Sequence, residues 1–212
     1  VIIHTVFVTF NRLELTKQAI ESYLETVDVP HTYMVVDNAS EDGTVEWLIE
    51  HDHPAILLPE NRFPGFATNQ GWWVAPAEAT VLHRSDNDFR FLPGWCETLA
   101  AALEPADVGQ VGLRTDEEEM HAEWNVGGNC AIKRELWDKG LRYDERPWGD
   151  AYPKGWTEDS LLSPAVLEMG YPWTRVKEPC IVPTSSEDPN DPYYQRTWDL
   201  RGILPRRGTR RR

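Results

Sequence analysis

The first half of the chain repeats one pattern: a short apolar run, a polar stop, then a segment with helical spacing. Ile2, Ile3, Val6, Phe7 and Val8 make a strand-like run that stops at Phe10-Asn11-Arg12. Leu15, Ala19, Ile20, Tyr23, Leu24 and Val27 then recur at the interval that buries one face of a helix, with Asn11 placed to cap its start. A second strand over residues 32–36 ends at Asp37-Asn38-Ala39-Ser40, and a helix over 44–50 follows. A third strand over 55–58 leads to Asn61, a helix spans 67–77, and a strand over 80–82 delivers Ser85-Asp86-Asn87-Asp88. Such alternation predicts an α/β fold with a mostly parallel central sheet flanked by helices. In such sheets ligands bind beyond the carboxyl ends of the strands. Asn11, Asp37, Asn61 and Asp86 all stand at those ends, so four loops should converge on one crevice.

Asp86 and Asp88 are two apart just past a strand, and on an extended segment such side chains point the same way. Two carboxylates aimed at one point suit a hard divalent cation, Mn2+ or Mg2+, with the oxygens of a diphosphate filling its remaining positions. Asp and Asn are also ordinary turn residues. What favours the metal reading is the set of polar strand ends around the pair.

The second half is less regular. Residues 95–103 read as a helix, 108–113 as a strand, 116–119 as a solvated acidic loop and 135–139 as a short helix. Gly127 and Gly128 permit either close approach of backbone to a ligand or a bulge. Thr157 can cap a helix whose first turn carries Glu158 and Asp159, an arrangement the helix dipole favours by itself. Pro164 should kink that helix or restart it behind Ser163. A last strand is expected within 171–178, followed by a proline-marked irregular segment over 181–212.

The length of 212 residues suits one domain, and no apolar run approaches the roughly 18 residues of a membrane span. The default compartment is therefore the cytoplasm. Cys96, Cys130 and Cys180 follow no ligand or disulfide pattern and read as buried thiols. Net charge is −14, yet five arginines crowd residues 206–212, leaving 16 basic residues against 35 acidic ones elsewhere. That body repels nucleic acid and anionic lipid, whereas the tail would suit a polyanion or a peripheral contact with a membrane surface. A solvated terminus is the plainer explanation of the tail.

The ordered motifs resemble those of glycosyltransferases of the GT-A (Rossmann-like) fold, in particular the inverting family 2. Val6 to Arg12 resembles the family's opening strand and loop. Val35-Val36-Asp37-Asn38-Ala39-Ser40-Glu41-Asp42-Gly43-Thr44 is similar to its Asp-Asn-Gly-Ser-x-Asp-Gly-Thr signature. Residues 61–71 resemble its Asn-x-x-x-Gly-Phe-Ala-x-x-Asn-x-Gly stretch, and Asp86 and Asp88 fall where its Asp-x-Asp motif belongs. Gly127-Gly128-Asn129, the run from Arg134 to Trp137, and Glu158-Asp159 are similar to its acceptor half. The resemblance spans roughly residues 3–180, with a nucleotide-sugar half over 1–92 and an acceptor half over 93–180. Three departures stand out: Ala165 where an arginine is frequent, Leu161 where an acid is frequent, and no histidine after His121 to serve as a further metal ligand.

The resemblance implies metal-dependent, inverting transfer of a sugar from a nucleotide-diphosphate sugar, a UDP-sugar first, to an acceptor hydroxyl. Asp86 and Asp88 would hold the metal, and Asp37 would accept from the imide N–H of uracil. Thr9, Asn11, Arg12, Asn38, Asn61, Gly65, Asn69, Asp86 and Asn87 would line the donor pocket. Asp159 would be the base, placed in the first turn of its helix to receive the acceptor proton. Gly127, Gly128, Glu158, Trp148 and Trp156 would face the acceptor, the indoles serving as platforms for flat groups. Glycan, lipid-linked sugar, protein and modified nucleic-acid base all remain open as acceptors. Two rivals stand beside this reading. A sugar-phosphate nucleotidyltransferase would want a glycine-rich loop after the first strand, which Thr9-Phe10-Asn11-Arg12 lacks. A catalytically silent sugar-nucleotide-binding module is the other.

Overall fold

The computed structural model describes residues 1–115, 125–149, 151–153 and 156–184. The acidic run at 116–119 and the arginine cluster at 206–212 lie outside the described residues. Strand β1 (Ile3–Thr9) is buried along its whole length, as a strand covered on both faces must be. Then come α1 (Leu13–Thr26), β2 (His31–Asp37), α2 (Thr44–Glu50), β3 (Ala55–Leu57), α3 (Phe63–Trp73) and β4 (Val81–Asp86). The second half holds β5 (Phe89–Phe91), α4 (Trp95–Leu103), β6 (Gln110–Gly112), β7 (Cys130–Lys133), α5 (Arg134–Asp138), α6 (Glu158–Glu168), β8 (Trp173–Arg175) and β9 (Ile181–Pro183).

Among the described residues, seven strands form one sheet in the order β3-β2-β1-β4-β7-β6-β8, with β7 antiparallel to both of its neighbours. Alternate side chains feed two cores. Ile3, Phe7, Val35 and Val81 pack with Ile20, Tyr23, Trp95 and Leu99 of α1 and α4. Val6, Val8, Val36 and Leu82 pack with Trp72, Leu136, Leu162 and Val166 of α3, α5 and α6. Each fully buried side chain of this size contributes about 1.5–3 kcal/mol. The register sets Thr9 level with Asp37 and Val8 level with Asp86, so β2, β1 and β4 finish together. Their carboxyl ends flank the switch point at β1, where the chain turns from one side of the sheet to the other. This is the mostly parallel α/β sheet the alternation predicts.

The differences from expectation are local. Helix α3 starts at Phe63 rather than at residue 67, with Pro64 in its first turn, where a missing N–H costs nothing. Asn11 does not cap α1: it lies in the left-handed region, and Asp42 Oδ2 takes the Leu13 N–H at 2.8 Å. Of the two outcomes expected at Pro164, a kink or a restart, helix α6 does not restart behind Ser163 but runs on through the proline. The segment expected to be irregular from 181 onward begins as β9, which pairs antiparallel with β5. All three cysteines are free and buried, as expected. No helix among the described residues is long and apolar enough to cross a membrane.

Candidate active site

The loops after β1, β2 and β3 are locked to one another in left-handed backbone, at Asn11 (φ 55°), Arg12 (φ 64°), Ala39 (φ 62°) and Phe63 (φ 65°). That conformation costs an L-residue roughly 1–2 kcal/mol. Short hydrogen bonds hold it. Asn11 N–H donates to Ser40 Oγ at 2.6 Å, and Asn11 Oδ1 accepts from the Glu41 N–H at 2.8 Å. Asp37 is fully buried at the end of β2. Its Oδ1 accepts from Thr9 Oγ1 (3.0 Å) and Ser40 Oγ (2.5 Å), and its Oδ2 from the Ser40 N–H (2.8 Å). Three donors therefore fix the orientation of a carboxylate that burial would otherwise penalise.

Several residues expected on the donor make hydrogen bonds and packing contacts that build the loops of this crevice. Asn38 Oδ1 accepts from the Arg62 N–H (3.1 Å), and Asn61 Oδ1 from the Phe63 N–H (2.9 Å). Asn69 Nδ2 donates to Tyr143 O (2.9 Å) and Glu145 Oε1 (2.8 Å), and its Oδ1 accepts from the Tyr143 N–H (3.0 Å). This amide is committed to the 143–145 loop. Asn87 Nδ2 donates to Asn11 O (3.0 Å) and Thr16 Oγ1 (2.9 Å), tying the acidic turn to β1 and α1. Gly65 is a packing residue: a Cβ there would lie 2.0 Å from Asp144 O and 3.1 Å from Glu158 Cβ.

Asp86 ends β4, and Asp88 is two residues on, so the strand does deliver both carboxylates to one turn. Each is held by a different guanidinium. Asp88 Oδ2 pairs with Arg12 Nη1 at 3.0 Å, and Asp86 Oδ1 accepts from Arg84 Nη2 (2.9 Å) and Nε (3.3 Å). Thr184 N–H donates to Asp88 O at 2.8 Å, so the residue after β9 buttresses the turn. Gly128 abuts the other oxygen of Asp86: a Cβ there would stand 2.8 Å from Oδ2. Asp86 and Asp88 keep 34% and 20% of their side-chain surface exposed, enough to reach a ligand. No trio of His, Cys, Asp or Glu is grouped to hold a metal ion among the described residues. Two carboxylates on one turn still fit a small divalent ion, which takes one or two protein carboxylates and completes its shell with phosphate and water.

Glu158 opens α6 and is 2% exposed. Its Oε1 accepts from Arg84 Nη1 (2.8 Å) and its Oε2 from Trp148 Nε1 (2.6 Å), so both oxygens face protein and not an acceptor. Burial pushes the Glu158 carboxyl up, and the Arg84 charge opposes that. Burial alone would weaken the Arg84 guanidinium, but Asp86 and Glu158 hold its pKa well above the ordinary value. Asp159, beside it, is half-buried. Its Oδ1 accepts from Thr157 Oγ1 and from Ser160 Oγ (3.4 Å), and both of these contacts fall on that one oxygen. Trp148 packs against Phe63 with ring centroids 5.8 Å apart, and Trp156 is half-buried, its backbone N–H donating to Pro153 O at 2.9 Å.

With this geometry in place, three comparisons bear on the chain. Residues 5–151 match the model of the family described as "Glycosyl transferase family 2". The chain belongs to that family. It is 23% identical over 154 residues to the "Uncharacterized glycosyltransferase YwdF" of Bacillus subtilis (strain 168), covering 72% of this chain and 56% of that one. Among solved structures it is similar to a mannosyltransferase of Pyrobaculum calidifontis in complex with GDP-Man and Mn2+, with TM-score 0.75 and 20% identity over 94% of this chain and 60% of that one. It is also similar to the glucosyl-3-phosphoglycerate synthase of Mycobacterium tuberculosis in complex with Mn2+, UDP and phosphoglyceric acid, with TM-score 0.65 and 16% identity over 95% and 79%. At those identities the structures show the fold. The chain spans a little over half the length of the first two relatives.

Two residues of the site escaped the sequence reading. Ser40 lay inside a motif without a role of its own. Arg84 stood in a run of buried strand residues, and a charge there is itself a signal, because an arginine is almost never fully buried without a partner.

Proposed function

We propose that the chain transfers a sugar from a nucleotide-diphosphate sugar to an acceptor hydroxyl, with inversion and with a divalent cation. The observation that carries this is the meeting of the acidic turn after β4 with the first turn of α6 at the carboxyl ends of the parallel strands. Family membership supports the glycosyl class, and UDP-sugars are the first donors to test. Thr9, Asp37 and Ser40 stand at the end of β2, where Asp37 is fully buried and would accept a nucleobase N–H only once its carboxylate is uncovered. Asp86 and Asp88 would hold the ion, and the ion when bound would offset the charge on the departing diphosphate. Asp159 Oδ2 takes the acceptor proton as the new C–O bond forms and the bond to the diphosphate breaks on the opposite side. Arg12 brings a second positive group to the turn. Trp148 and Trp156 flank the acceptor approach.

The test is calorimetric titration of UDP, GDP and dTDP with and without Mn2+, on the native chain, on Asp86→Ala/Asp88→Ala and on Asp159→Asn. One nucleotide should bind only with the metal, and the double variant should lose it. Asp159→Asn should bind that nucleotide normally yet turn over its sugar donor about a thousandfold more slowly. Undiminished turnover in Asp159→Asn removes it as the base; absence of any turnover in the native chain, with binding intact, leaves a sugar-nucleotide-binding module.

A further inference from the structure

Arg84 touches both sides of the site. Its guanidinium is 3% exposed and divides between Asp86 Oδ1 and Glu158 Oε1, residues that sit on β4 and α6. Below it lies the Tyr143 ring, 5.1 Å from the guanidinium carbon. Glu158 in turn holds the Trp148 indole N–H and directly precedes Asp159. A single rigid fork therefore links the turn that receives the donor to the residues that receive the acceptor. Arg is suited to this: its planar donors bridge two carboxylates at fixed angles, whereas a lysine ammonium is a point charge on a flexible stem.

We propose that Arg84 is a positioning residue that reports occupancy of the donor site to the acceptor side. With the donor site empty, Arg84 shares its charge between Asp86 and Glu158. When a divalent cation and nucleotide diphosphate engage Asp86, that carboxylate interacts less with Arg84, and the guanidinium binds Glu158 more strongly. Glu158 then fixes the Trp148 indole and the first turn of α6, on which Asp159 rides. Donor binding thus prepares the acceptor side before an acceptor arrives. This rests on the donor-site reading of Asp86.

The experiment follows the indole N–H signals of the full chain by NMR, with Mg2+ and the nucleotide selected by calorimetry as probes and Trp148→Phe used to assign the Trp148 signal. In the native chain the Trp148 signal should shift on addition of Mg2+ and nucleotide. In Arg84→Met that shift should vanish while the nucleotide still binds. Since Arg84→Met strands Glu158, the double variant Arg84→Met/Glu158→Leu, which removes both buried charges, separates folding from function. It should regain the melting temperature lost in Arg84→Met, yet its donor turnover should stay about 100-fold down, the penalty of a misplaced catalytic group. Arg84→Lys, which keeps the charge without the fork, should fall between. Turnover that returns with the melting temperature would show a purely structural role and overturn the proposal, as would a Trp148 shift that persists without Arg84. Native chain that binds nucleotide with no Trp148 shift overturns the relay alone. Native chain that binds no nucleotide overturns the donor-site reading, and the relay with it.

Discussion

The side of this site proposed for the donor and the side proposed for the acceptor hold their acids in opposite ways. Asp37 is fixed by hydroxyl and amide donors from residues close by in sequence or on the adjacent strand: Thr9 is its level partner on β1, and Ser40 is three residues on. Glu158 is fixed by a guanidinium from a strand 74 residues away and by an indole. The first arrangement orients a carboxylate with neutral groups and tolerates the loss of one. The second buries a full ion pair, whose partners cannot be removed singly without leaving a charge in the protein interior. The proposed donor pocket, built from short loops on a rigid sheet, is thus modular, while the proposed acceptor side depends on one long-range contact.

The sharpest way to break that contrast is Glu158→Leu. It deprives Arg84 of a buried partner and leaves the Trp148 N–H without its acceptor, so unfolding free energy should fall by about 3–5 kcal/mol. Urea denaturation reads the loss. The addition of Arg84→Met should recover most of it, since the buried guanidinium, left with Asp86 alone, is then gone. A loss below about 1 kcal/mol would mean that water reaches the pair and that the two sides of the site are not built differently after all.

On the donor side the matching change is Ser40→Ala. It removes one of three donors to Asp37 and the acceptor of the Asn11 N–H. Hydrogen bonds to charged groups contribute about 1.5–3 kcal/mol, and the backbone N–H of Ser40 still holds Oδ2. The stability cost should therefore be near 2 kcal/mol, with nucleotide affinity weakened but present. Equal losses in Ser40→Ala and Glu158→Leu would erase the distinction.

The same contrast explains what could be read from the sequence. The parallel strands of the sheet are legible because strand and helix periods are local, whereas the antiparallel β7 is not, and Asp37, Asp86 and Asp88 are legible because short spacings fix their place at strand ends. Asn69, Gly65 and Asn87 sit in the same motifs, yet they serve the 143–145 loop, the 144–158 packing and α1, and no local spacing reports those partners. Arg84 and Glu158 belong together only once β4 and α6 are folded. The strand β9 was missed for a related reason: it has three residues, and pairing with β5 defines it rather than its own pattern.

The smallest effect is expected at Ala39, and it tests whether the locked donor loops carry strain for a purpose. Ala39 has φ 62° in a position where the similar signature has glycine. Left-handed backbone costs alanine roughly 1–2 kcal/mol, while glycine returns about 0.4–1 kcal/mol of that through the greater freedom of its unfolded chain. Ala39→Gly should then stabilise the protein by up to about 1 kcal/mol. Thermal unfolding checks the sign, and nucleotide titration checks the consequence. Because Asp37 is held through Ser40, the residue after Ala39, a loop that is merely strained should gain stability with its affinity unchanged. A loop whose strain aims Ser40 at Asp37 should gain stability and lose affinity. The hydrogen bonds of Ser40 to both Asp37 oxygens over-determine its position, and they favour the first outcome.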